Sequence, residues 1–210
     1  MSTSNHHPAL DRAGACSGVL FAVVLFVAAG DGSQGFSTPR SVAALAAITL
    51  ALPFLAHVGA LLQRSGGAGW TAPAVLAGGV AGVTLKLSSE VPAIAAHRMG
   101  SEGSAQLTQL TDALAGAATV ASLDAFAVCC AAVAIGGLLT RSLPRWVCAG
   151  AGVTAVALVV NGFFLSTDFV VAFLLFNVWS FATGVHLLRR AGRLDALAGE
   201  PAVAAPGRSA

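Results

Sequence analysis

Apolar residues in this chain come in long runs, and the runs share a length. Residues 13–30, 41–62, 72–91, 111–139, 146–165 and 169–188 form six stretches almost free of charge, separated by short polar breaks. A helix of about twenty residues, rising about 1.5 Å per residue, crosses the roughly 30 Å of bilayer hydrocarbon. The other spanning solution is a closed β-barrel, whose strands alternate apolar and polar over about ten residues. LFAVVLFVAA, VALVV and VVAFLLF are continuous instead. The pattern predicts an all-α, polytopic transmembrane bundle of six spans.

Composition agrees. Of 210 residues, 56% are hydrophobic and only 10% charged, with mean hydropathy +0.81. A soluble domain carries about 25% charge. The net charge of +2 and the lack of a basic run give no reason to expect a nucleic-acid partner. The partners to expect are the lipid bilayer and, within it, another membrane protein or a second copy.

Arginine sets the threading. With the N-terminus in the cytoplasm, the inside segments hold Arg12, Arg64, Arg141, Arg145, Arg189, Arg190, Arg193 and Arg208, and the outside segments only Arg40 and Arg98. That asymmetry predicts both termini inside and a multi-pass protein of the cell membrane, the inner membrane of a bacterium. Residues 1–12 form a cytoplasmic N-terminal segment, 13–190 the transmembrane domain and 191–210 a disordered cytoplasmic tail, with no soluble domain at either end. A second reading makes the first span a signal peptide cleaved after Ala29. Most connections are short: 166–168 is a tight hairpin, 140–145 a basic turn, and 63–71 a flexible turn with interfacial Trp70. Only 92–110 has room for structure, its AIAAHRM half either lying on the outer surface or extending helix three.

Few polar residues fall inside the spans. Lys86 and Glu90 are one helical turn apart at the outer end of span three, beside Ser88, Ser89 and Pro92. They mark a solvated helix end or line an outward-facing cavity. Asp124 falls near the middle of span four, where a short carboxylate cannot snorkel; it must pair, face the interior or take a proton. Lys86 is the only cation within a span, so a Lys86–Asp124 bridge is the leading expectation, with Glu90 competing for the ammonium. The alternatives are a proton or ion pathway and a protonated Asp124.

The other candidates are weaker. His57 and His186 lie at similar depth near the ends of spans two and six. Haem ligation needs such a pair, but nothing else in the chain supports it, and hydrogen bonding at the interface or between helices is the simpler reading. Asn161 and Asn177 read as hydrogen-bond glue between helices. Gly78 and Gly82 form a small-xxx-small pair, expected to pack within the chain. Cys16, Cys129, Cys130 and Cys148 lack the spacing of a metal or redox site and read as small packing residues. No catalytic motif is present, and no cofactor or metal is expected.

Three short motifs carry a resemblance: L-K-L-S-S with a following V-P (85–92), L-D-A-F (123–126) and H-L-L-R-R (186–190). Over residues 10–190 the chain resembles a family of small bacterial six-helix integral membrane proteins, a domain of unknown function. The resemblance implies the fold and no activity. The sequence thus points to a non-enzymatic membrane component or regulator of a partner. The alternative is a small ion-coupled transporter using Lys86, Glu90 and Asp124, against which stands the lack of similarity between the two halves.

Overall fold

The structure, a computed structural model, describes residues 8–29, 38–66, 69–99, 105–163 and 170–198. They form six helices: α1 (Pro8–Ala29), α2 (Thr38–Arg64), α3 (Thr71–Met99), α4 (Ala105–Thr140), α5 (Arg145–Phe163) and α6 (Val170–Ala198). Each contains a segment long and apolar enough to cross a bilayer. The helices satisfy their own backbone groups, as hydrocarbon requires. This is a multi-pass, all-α membrane protein.

Neighbouring helices run antiparallel and close into a ring. Gly18 lies against Phe54, Gly79 against Leu55, Gly82 against Phe126, Gly152 against Ala134 and Gly150 against Trp179. Gly184 of α6 closes the circle against Ala15 and Val19 of α1. One end, here called basal, therefore carries Asp11, Arg64, the α4–α5 turn and Arg190. The opposite, distal end carries the last turn of α3 and the first turn of α4.

Helix ends differ from the expected breaks. Pro92 lies inside α3, which runs on to Met99, so AIAAHRM extends helix three. Proline removes one hydrogen bond, to the carbonyl four residues back, and the helix continues past that loss. α6 likewise continues through Ala198, into the segment expected to be a disordered tail. The expected 166–168 hairpin and residues 199–210 lie outside the described residues.

Helix lengths are uneven. α4 has 36 residues and so measures about 54 Å, whereas α5 has 19 and measures about 28 Å. Since Gly162 in the last turn of α5 sits beside Asp124, the first half of α4 lies beyond the distal end of α5.

The axis of the ring is filled by aromatic rings. Phe176 contacts Phe126 (centroids 4.9 Å), Phe21 (5.8 Å) and Trp179 (6.0 Å), and Trp179 reaches Phe54 at 6.1 Å. All five side chains are buried, and they join α1, α2, α4 and α6. Two hydrogen bonds fasten α6 to its neighbours: Trp179 Nε1 donates to the Val147 carbonyl (3.0 Å), and Arg190 Nη1 to the Ser142 carbonyl in the α4–α5 turn (3.1 Å).

The closest helix approach is α3 on α4. A Cβ added at Gly78 would stand 2.8 Å from the Ala125 carbonyl oxygen and 2.9 Å from the Cys129 nitrogen. The Gly78–Gly82 pair therefore packs within the chain, as expected. Cys129, Cys130 and Cys148 are buried, and Cys16 is exposed.

Candidate functional site

The structure brings together two of the three charged residues that the sequence singles out. Lys86 Nζ donates to Glu90 Oε1 and to Ser89 Oγ, each at 3.2 Å. The Ser89 hydroxyl donates in turn to the Lys86 carbonyl at 2.7 Å. The pair is partly shielded, with 18% of the Lys86 side chain and 26% of the Glu90 side chain exposed. One helical turn thus neutralises its own charge, about midway along α3.

Asp124 is not part of that group. It is exposed on α4, with its carboxylate over Gly162, where a Cβ would stand 2.6 Å from Oδ1. Its neighbours Ala125 and Phe126 face α3, so the next residue round the helix turns toward α5. The expected Lys86–Asp124 bridge is therefore corrected: the ammonium is held by Glu90. Asp124 is central in its apolar span, as expected, and it stands level with the last turn of α5 because α4 overshoots that helix.

A second charged group, at the basal end, was not evident from the sequence. Arg64 Nη1 donates to Asp11 Oδ1 at 3.2 Å and Oδ2 at 3.5 Å, and His57 Nδ1 lies 3.4 Å from Asp11 Oδ1. Asp11 and His57 are nearly buried, with side chains 12% and 8% exposed, while Arg64 is half exposed. Asp11 also occupies the first turn of α1, where the helix dipole favours a carboxylate. The signal was available: an antiparallel hairpin sets the start of its first helix beside the end of its second.

His186 has a different neighbour, the Trp146 ring, which it meets edge-on at 5.5 Å. The two histidines thus pack against different helices, α1 for His57 and α5 for His186. Among the described residues, no three His, Cys, Asp or Glu side chains gather as a metal site needs.

No family model, no curated protein and no solved structure matches this chain. Its chemistry has to be read from its own side chains.

The asparagines depart from expectation. Asn161 Nδ2 and Asn177 Oδ1 are buried without a hydrogen-bond partner among the described residues, so neither atom supplies the interhelical bond expected of it. Ser180 Oγ and Thr183 Oγ1, on α6 with Asn177, are buried and unpartnered as well. Elsewhere hydroxyls bond back along their own helices, as Ser17 does to the Gly14 carbonyl and Ser122 to that of Thr119. Helix α6 is where buried polar capacity is left open.

A double-mutant cycle checks the Lys86–Glu90 pairing. Lys86→Met and Glu90→Gln should couple by about 0.3–0.5 kcal/mol, the range for an i,i+4 helix pair. Lys86→Met and Asp124→Asn should be additive. Unfolding in detergent measures both, and a larger coupling to Asp124 than to Glu90 would restore the bridge.

Proposed function

We propose that this protein is a non-enzymatic component of a bacterial inner membrane, with both termini in the cytoplasm, acting through contact with a partner inside the bilayer. The observation that carries this reading is the aromatic filling of the axis: Phe21, Phe54, Phe126, Phe176 and Trp179 occupy the space that a solute path along the ring would need. The charged groups support it. Lys86–Glu90, midway along α3, and Asp11–Arg64, at the basal end, are each compensated locally rather than aligned through the bundle. The arginine asymmetry supports the orientation, and an Ala- and Arg-rich composition with a single lysine supports a bacterial source.

Purified protein in proteoliposomes tests the reading against the ion-coupled alternative. Proton and sodium flux should equal that of empty vesicles at every protein-to-lipid ratio. Flux that rises with protein and disappears in Lys86→Met or Asp124→Asn would establish a carrier instead.

A further inference from the structure

Asp124 poses a problem that the bundle itself does not solve. It is the central residue of the apolar span of α4, sixteen positions from either end. At 1.5 Å per residue that is about 24 Å from the basal end, inside a hydrocarbon layer of about 30 Å. The residue is exposed, and no hydrogen bond or ion pair joins it to another described residue. Asn161, next to Gly162, leaves its Nδ2 unpartnered instead of donating to the carboxylate.

The face around Asp124 is hydrocarbon. Leu110, Ala113, Ala117, Val128 and Ile135 lie within about 40° of it around the helix, at about 100° per residue, and all five are exposed. The stripe runs about 38 Å, enough for a full crossing, and Asp124 is its one polar side chain. A carboxylate on such a face calls for a cation or a proton. The chain has no cation to spare. Among the described side chains, Lys86 is held by Glu90 and the arginines stand at the basal end. A second copy in the same orientation keeps every residue at its own depth, so it offers Asp124 only another Asp124 or an engaged Lys86. A bare metal ion needs several oxygens, and among the described residues no ligand group gathers here.

We propose that this face of α4 docks a transmembrane helix of another membrane protein, which brings a lysine or arginine to Asp124. The inference rests on the reading that the protein acts by contact inside the bilayer, and it names that contact. Ala113 and Ala117 keep the stripe shallow, and Gly162 of α5 puts no side chain beside the carboxylate. A partner helix can therefore approach closely along its whole length.

The experiment uses a Leu-rich transmembrane peptide with one central lysine, and the same peptide with leucine in its place. Energy transfer from each labelled peptide to labelled protein is titrated in phosphatidylcholine vesicles, whose headgroups carry no primary amine. The wild type should bind the lysine peptide at least about tenfold more tightly, the low end of the range for close charge pairs. Asp124→Asn should melt like the wild type and bind both peptides alike, and Asp124→Glu should keep the preference. Ala117→Trp fills the stripe with the carboxylate intact and should lose it. Equal affinities in the wild type, or a preference that survives Asp124→Asn or Ala117→Trp, would overturn the proposal. So would wild-type self-association that Asp124→Asn abolishes, which makes a second copy the occupant. Vesicles that stay tight to ions while the lysine preference is absent would remove this docking face alone and leave the non-enzymatic reading standing.

Discussion

Gly78→Leu should separate α3 from α4 and cost about 3 kcal/mol, the upper end of the range for overpacking a filled interface. The new side chain has nowhere to go. Its Cβ alone would stand 2.8 Å from the Ala125 carbonyl oxygen, 2.9 Å from the Cys129 nitrogen and 3.2 Å from the Cys129 Cα. These are backbone atoms, which cannot swing aside as a side chain can. Between helices in lipid, close backbone approach supplies much of the attraction, because apolar burial gives no advantage over lipid tails. Gly116→Leu is the matched control. It lies on α4, the helix that Gly78 packs against, with nothing within 4 Å of its added Cβ, and should leave stability within about 0.5 kcal/mol. Unfolding both variants in a denaturing detergent series checks the contrast, and equal losses would mean that α3 and α4 do not meet at Gly78.

Phe176→Ala should be the most damaging single truncation on the axis. The usual cost of losing a buried phenyl ring has a transfer part and a cavity part. Here the first is small, since the unfolded reference keeps the ring in lipid. At about 24 cal/mol per Å³, a void of roughly 100 Å³ leaves a loss of about 2–2.5 kcal/mol. Phe176 is the position to test because it touches Phe21, Phe126 and Trp179 together, and so ties α1 and α4 to α6. Phe163→Ala, at a ring 84% exposed, should cost almost nothing. If the two truncations cost the same, the rings along the axis are not the bundle's core.

The six spans were legible because their signal is length, and hydrocarbon sets one length for every crossing. The Lys86–Glu90 pair was legible for a similar local reason: four residues make one turn, whatever the surroundings. Which face of each helix points inward was not. In water the buried face is the apolar one, but here Phe26 faces lipid and Phe21 faces the core, and the two are the same residue type. Asp124 was misplaced through that loss, since nothing in LDAF tells which neighbour the carboxylate meets. The Asp11–Arg64 pair needed the register of a hairpin, which a separation of 53 positions does not reveal locally.

Six crossings, with the arginine-rich basal end in the cytoplasm and the α3–α4 connection outside, are what the proposed role of this bundle requires. Impermeant thiol labelling of intact cells tests that arrangement, using protein whose four cysteines are replaced by alanine. Ser142→Cys places a single thiol in the α4–α5 turn, and Ser101→Cys places one between α3 and α4. Position 101 should label in intact cells, and position 142 only after the membrane is opened. Labelling of 142 with protection of 101 would invert the protein, and labelling of both in intact cells would contradict the six alternating crossings.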